Sequence, residues 1–402
     1  MPKSFLFFPS RVFCTPGLLL MCLFLCALPS PARAEFENLY PGIKTLGIWL
    51  PENNVRLNIN VWYPSVRKPT VVNYNPWKIL ASRNGKEAVG RFPLLLLSHD
   101  SPGGRFSHHD LAVFLARSGF VVVAPTHHGD NTNNMQNLFT LRQLTQRVIQ
   151  MKATLDTVLR HPETMQHIDP DRIGIVGFGT GGSTALLMGG ALLSKEGWAG
   201  YCAKASKGDP YCTPWASARM RTLLEKLPLK VSLADQRIKA VAAVAPAYGM
   251  LFSKASLKYF YPPLLLISAG KDTINRAPWH ADALRELFST APQFFTLKNA
   301  DAASLMAACP PSFQRDLPEL CNSVSQAERL NIHHELETLL ARFFLETLGD
   351  RQHLPSIPPP PNLTPAPKPP VVSPGTSGVN NGPTKRGRRS ATTGGAAKSK
   401  QP

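Results

Sequence analysis

Along the first third of the chain the hydrophobic pattern changes period. Leu57-Asn58-Ile59-Asn60-Val61-Trp62-Tyr63-Pro64 alternates apolar and polar positions and then meets proline. That predicts a half-exposed strand near a sheet edge. Phe92-Pro93-Leu94-Leu95-Leu96-Leu97-Ser98-His99 and Phe120-Val121-Val122-Val123-Ala124 hold unbroken apolar runs instead. Such runs predict strands buried on both faces. Residues 110–117 read as a short helix closed by Ser118-Gly119. Leu144, Val148, Met151, Leu155 and Val158-Leu159 recur at helical spacing and predict a long amphipathic helix.

Further on, Ile173-Gly174-Ile175-Val176 predicts a strand and Ser183-Thr184-Ala185-Leu186-Leu187-Met188 a helix. Ile238-Lys239-Ala240-Val241-Ala242-Ala243-Val244 and Pro263-Leu264-Leu265-Leu266-Ile267-Ser268 predict two more strands. A helix over 278–289, a short strand at Phe294-Phe295-Thr296-Leu297 and a helix over 331–348 complete the series, with Gly349 placed to end the last helix. Strands alternate with helices, so the expected class is α/β, with a mostly parallel central sheet and helices on both faces. The pattern breaks over residues 189–234, which carry Trp198, Cys202, Cys212 and Trp215. From its place in the order of elements, this segment reads as a cap insertion over the active site.

Both ends of the chain are different material. Residues 1–34 read as a signal peptide: Lys3 and Arg11 come first, then an apolar run from Leu18 to Leu28, then Ala32-Arg33-Ala34 as a cleavage site. The run is too short for an ordinary membrane span. Export to the periplasm or medium is expected, with no stable membrane span once the leader is removed. Residues 350–402 are rich in Pro, Gly, Ser and Thr and read as a disordered basic tail. Its Lys385-Arg386-Gly387-Arg388-Arg389 run offers a contact for an anionic envelope polymer; no nucleic acid partner is expected of an exported chain. Of the net charge of +18, three positives lie in the leader and eight after Asp350, leaving about +7 on residues 35–350. That domain holds Cys202, Cys212, Cys309 and Cys321, and an even count in an exported chain predicts disulfides. Closure of short loops favours Cys202–Cys212 and Cys309–Cys321.

The candidate chemistry centres on Gly177-Phe178-Gly179-Thr180-Gly181-Gly182, between a strand and a helix. This is the setting of the nucleophile elbow, Gly-x-Ser-x-Gly. Gly177 and Gly181 match, but the nucleophile position is Gly179. Two shifted assignments remain open as nucleophiles, Thr180 and Ser183. Thr180 would put Phe178 where the turn needs a small residue, and Ser183 lies a turn into the helix.

The order of elements resembles the α/β-hydrolase fold. Finer marks resemble exported dienelactone-hydrolase-like proteins, the branch related to platelet-activating-factor acetylhydrolase. These marks are Val61-Trp62-Tyr63-Pro64, Leu97-Ser98-His99, Ala124-Pro125-Thr126-His127-His128-Gly129-Asp130 and Asp235-Gln236-Arg237-Ile238-Lys239-Ala240. The resemblance implies hydrolysis of carboxylic esters by a Ser, Asp, His triad. It places the acid at Asp272, the histidine at Ala302 and one oxyanion N–H at Thr180. The loop after Ser98-His99, where the family has glycine, carries Asp100. A carboxylate ~4 Å from a developing oxyanion would cost roughly 4 kcal/mol at an effective dielectric of ~20. That is about a thousandfold in rate.

The expectation is therefore a catalytically impaired hydrolase scaffold with no cofactor. Its pocket would accept a small acyl or lipid-like ligand. His99, His127 and His128 with Asp130 match no specific metal spacing, and loop-structuring hydrogen bonds are expected of them.

Overall fold

The computed structural model describes residues 39–50, 54–205, 207–229 and 232–349. The leader and the tail predicted from sequence lie outside these residues. The strands are β1 (Tyr40–Leu50), β2 (Val55–Ser65), β3 (Thr70–Tyr74), β4 (Trp77–Arg83), β5 (Phe92–Ser98), β6 (Val121–Pro125), β7 (Ile168–Phe178), β8 (Ile238–Val244), β9 (Leu264–Ala269) and β10 (Gln293–Leu297). They form one sheet in the order β10-β9-β8-β7-β5-β6-β2-β1-β4-β3. From β6 to β10 every pairing is parallel. β2 runs antiparallel to both β6 and β1. The longer helices are α1 (His109–Arg117), α2 (Leu141–Arg160), α3 (Thr180–Met188), α4 (Pro214–Leu224), α5 (Ala281–Leu287) and α6 (Gln326–Leu348).

The expected half-exposed edge strand is corrected. β2 is interior, paired along its whole length with β1 and from Ile59 to Trp62 with β6. Of the two polar residues that suggested exposure, Asn58 is exposed but Asn60 is buried, and its Oδ1 accepts the Thr45 hydroxyl at 2.9 Å. The alternation there marks a hydrogen bond inside the sheet.

Helix ends differ too. α6 begins at Gln326, five residues before the predicted start, because the Ser325 side chain caps the Glu328 N–H at 3.2 Å. Its end needs no left-handed glycine, since Gly349 is extended (φ −69°, ψ 158°). The helix predicted over 278–289 is a short turn, Ala277–Trp279, followed by α5.

Apolar side chains fill both faces of the sheet. On one face α2, α3 and the 189–234 segment cover Leu94, Leu96, Ile173, Ile175 and Val241. On the other, α1 and α6 cover Leu95, Leu97, Val176, Ala242 and Ile267. The 189–234 segment holds three short helical turns and α4, with the disulfide Cys202–Cys212 inside it. The second disulfide, Cys309–Cys321, lies between β10 and α6. Both match the local pairing expected from sequence.

Phe344 of α6 is fully buried and meets Phe120 edge-on at 6.4 Å. Phe344→Ala is expected to lower unfolding free energy by about 3–5 kcal/mol, read from urea titration followed by circular dichroism.

Candidate functional site

The parallel strands deliver their carboxyl ends to one edge, and the elbow stands in the middle of it. β7 ends at Phe178, α3 begins at Thr180, and Gly179 turns between them with φ 50° and ψ −115°. A nonglycine residue at positive φ is strained by about 1–3 kcal/mol, so this position favours glycine once no side chain is needed there.

What fills the space in front of Gly179 is the Asp100 carboxylate. A Cβ built on Gly179 would overlap Asp100 Oδ1, Cγ and Oδ2. The Thr180 N–H donates to Asp100 Oδ1 at 2.8 Å, and the Ser101 N–H donates to the same oxygen at 2.7 Å. The Thr180 N–H, expected as an oxyanion donor, is thus bound to the protein's own carboxylate. Burial pushes the Asp100 pKa up to about 6, against the lowering effect of the Thr180 and Ser101 amides and Arg147.

A buried network below aims this loop. Arg147 Nε donates to Asp130 Oδ2 at 2.7 Å, its Nη1 to the His99 carbonyl at 2.5 Å and its Nη2 to the Asp100 carbonyl at 3.2 Å. Gln143 Nε2 also donates to Asp130 Oδ2, at 2.8 Å, and the Tyr248 hydroxyl donates to Gln143 Oε1 at 2.5 Å. The Ser101 hydroxyl donates to Asp130 Oδ1.

The histidines of this edge make loop-structuring bonds, as expected. His99 Nε2 accepts the His127 N–H at 3.1 Å, so its Nδ1 carries the proton and donates to the Asp100 carbonyl at 2.6 Å. His127 Nδ1 donates to Gln150 Oε1 at 3.0 Å, and its Nε2 accepts from the Ser98 hydroxyl at 2.9 Å. Burial holds both imidazoles well below their ordinary pKa.

Asp272 stands in the loop after β9. Its Oδ1 accepts the N–H groups of Ile274 and Asn275 at 2.8 and 2.9 Å, while Oδ2 is buried with no partner. Burial raises its pKa. The loop carrying Ala302 is clamped at several points. Arg329 Nη1 donates to the carbonyls of Ala303 and Met306 at 2.7 and 3.0 Å. The Ala307 N–H donates to the Ser107 carbonyl at 2.8 Å. His333 Nε2 donates to the Ser304 carbonyl at 2.8 Å, and its Nδ1 meets Asp110 Oδ2 at 2.6 Å. Carbonyl and carboxylate both only accept, so His333 is an imidazolium there, its pKa raised by Asp110 despite burial.

No histidine reaches Asp272 among the described residues. His280 accepts the Gly249 N–H at 3.2 Å, and burial pushes its pKa down to about 3. His108 stacks on Phe178 with ring centroids 3.7 Å apart. Ser183 donates to the Ala247 carbonyl at 2.6 Å and is fully buried, which removes it as a nucleophile. Thr180 is buried and hydrogen-bonds no imidazole among the described residues.

The 189–234 segment reaches this edge through Tyr211, next to Cys212. Its hydroxyl donates to Asn275 Oδ1 at 2.7 Å, and its ring meets Tyr248 at 5.2 Å and His280 at 5.3 Å.

Sequence reasoning missed Arg147, Gln143 and Ser101. A signal was there: Arg147 falls on the apolar stripe of α2, between Leu144 and Val148, where a charge must find a buried partner.

Residues 80–201 match the dienelactone hydrolase family. That stretch holds Asp100 and the elbow, and ends before Asp272 and Ala302. The fold is α/β, with a mostly parallel sheet covered by helices on both faces. A solved ferulic acid esterase from Streptomyces cinnamoneus is similar at 15% identity and TM-score 0.48, over 80% of this chain and 92% of that one. No curated protein sequence matches the chain.

Gly179→Ser adds positive-φ strain and overlaps Asp100. It should lower stability by about 1–3 kcal/mol or more. Adding Asp100→Gly to the Ser variant should recover part of that loss in the same denaturant titration.

Asp100 also sets a pH dependence. Its folded pKa of about 6 lies above the ordinary aspartate value of 3.8, so between these values the folded state holds a proton the unfolded state has lost. Its contribution therefore falls as pH rises through that window. The stability difference between wild type and Asp100→Asn should shrink or change sign from about pH 4 to 6, measured by thermal unfolding in matched buffers.

Proposed function

We propose that this is an exported α/β-hydrolase-fold protein that no longer hydrolyses esters and keeps the frame as a binding protein. One observation carries the reading: the Asp100 carboxylate lies where the nucleophile's side chain must be and accepts the Thr180 N–H that a tetrahedral oxyanion would need. A substrate carbonyl arriving there meets a negative charge and no attacking group. Asp272, with its unpaired Oδ2, is an acid left without an imidazole to orient. Kinship with platelet-activating-factor acetylhydrolase is part of the reading and rests on the sequence marks alone.

Export is part of the proposal as well, supported by two disulfides, which persist in oxidising compartments. The acyl or lipid-like ligand suggested by the resemblance would need to be uncharged beside Asp100. The basic tail is proposed to contact an anionic envelope polymer.

The test is direct. Mature protein should show neither fluorophosphonate labelling nor turnover of short p-nitrophenyl esters above a heat-inactivated control. The triple variant Asp100→Gly/Gly179→Ser/Ala302→His should gain both. Turnover by the natural chain that disappears in Asp100→Asn would overturn the reading and make Asp100 the working group.

A further inference from the structure

A polar cleft of about 240 Å³ opens where β2 begins beside the carboxyl end of β6, and no elbow residue lines it. Its walls are Arg56 and Asn58 of β2, Arg105 of the loop after β5, and Thr126, His128 and Asn133 of the loop after β6. Hydrogen bonds join the three walls. The Thr126 N–H donates to the Asn58 carbonyl at 3.3 Å, and Thr126 Oγ1 accepts the Arg105 N–H at 3.1 Å. The Thr132 N–H donates to the Gly103 carbonyl at 3.1 Å, and Asn131 Oδ1 accepts the Asn133 N–H at 2.9 Å. Gln150 holds the His128 backbone, accepting its N–H at 3.0 Å and donating to its carbonyl at 3.2 Å.

The cleft is basic and unneutralised. Among the described residues neither Arg56 nor Arg105 forms a salt bridge. Arg105 is half-buried, with its guanidinium carbon 4.8 Å from the Phe106 ring centre and its Nε buried without an acceptor. Burial lowers its pKa, as expected of a cation short of counter-charge. Arg56 is exposed and lies across β1 at Gly47, where a Cβ would overlap its Nε and Nη2. Asp130, beside this loop in sequence, is 1% exposed and paired with Arg147 instead. The His128 ring and the Asn133 amide make no hydrogen bonds among the described residues, so both are available to a ligand.

We propose that this cleft binds the phosphate monoester of a small polyol, with the phosphate between Arg56 and Arg105 and the hydroxyls toward His128 and Asn133. A phosphate dianion balances two guanidinium groups and accepts their forked N–H donors, whereas a carboxylate brings half that charge. A partly buried cation without a counter-ion is costly, and the ligand supplies the missing charge. Amide and imidazole groups both donate to and accept from hydroxyls. The cleft is smaller than the roughly 300–1,000 Å³ that drug-sized ligands occupy, which suits a short polyol. The charge of about +7 on residues 35–350 also draws anions toward this surface. The site is separate from the elbow and holds whether or not ester hydrolysis is lost.

Calorimetric and phosphorus NMR titration of the mature protein with glycerol 3-phosphate tests this, at about pH 8 where the phosphate is doubly charged. Saturable binding in roughly the millimolar range is expected, as small fragments allow. It should weaken about tenfold or more in Arg105→Gln and in Arg56→Gln. Lys239→Gln removes the same charge from an exposed position at the other end of the sheet and should leave the affinity unchanged. Glycerol should not bind, and inorganic phosphate should bind more weakly than the ester. Arg56 is exposed, so its variant keeps the test decisive if Arg105→Gln does not fold. No saturable binding, affinity unchanged in Arg56→Gln, or equal weakening in Lys239→Gln would overturn the proposal. Binding to phosphatidylglycerol vesicles without any response to the free monoester would overturn it as well, in favour of a membrane surface. Inorganic phosphate binding as tightly as the ester would overturn the polyol part.

Discussion

Arg147 and Asp130 face each other at 2.7 Å with both side chains 1% exposed. Burying two charges is expensive, and the pair is tolerable only because nearly every donor and acceptor around it is used. Asp130 accepts from Arg147, Gln143 and Ser101, and Arg147 spends its remaining donors on backbone carbonyls. Two of those carbonyls belong to His99 and Asp100. The pair therefore fixes the backbone of the loop after β5, and that backbone decides where the Asp100 side chain goes. His99 adds to the same end, donating to the Asp100 carbonyl and accepting from His127. The Asp100–Thr180 hydrogen bond is thus the outermost consequence of an ion pair between Arg147 of α2 and Asp130 of the loop after β6.

The occupied elbow has a thermodynamic logic. An unfilled nest of amides facing a pocket would leave the Thr180 N–H without a partner, and serine at positive φ would store strain. Gly179 removes the strain, and Asp100 supplies the partner. The residual cost falls on Asp100 itself, whose carboxylate is partly desolvated and holds its proton up to about pH 6.

Much of this was legible in the sequence. Unbroken apolar runs located β5, β6, β8 and β9 because strands covered on both faces leave no polar alternation. The elbow announced itself through Gly177 and Gly181 flanking Gly179, and short spacing favoured both disulfides. β1, β3 and β4 gave no clear period. β2 was misplaced because Asn60 looked exposed while hydrogen-bonding Thr45 inside the sheet. At the site, Asp100 was visible as a wrong residue in the right loop. What the chain alone did not disclose was its direction, because that depends on Arg147, which is distant in sequence and reaches the loop only once α2 packs under the sheet.

The departures at this edge are not independent. A serine at 179 and the present Asp100 exclude each other, since any Cβ on the elbow runs into the carboxylate. Asp100 in this pose therefore requires Gly179, whereas Gly179 does not require Asp100. The steric dependence is thus one-way: the carboxylate needs a glycine at 179, while the glycine stands without it. Ala302 stands apart from that dependence, because its loop is held by Arg329 and His333 whatever occupies the elbow. Asp272 organises its own turn through Ile274 and Asn275, a structural duty that needs no imidazole beside it.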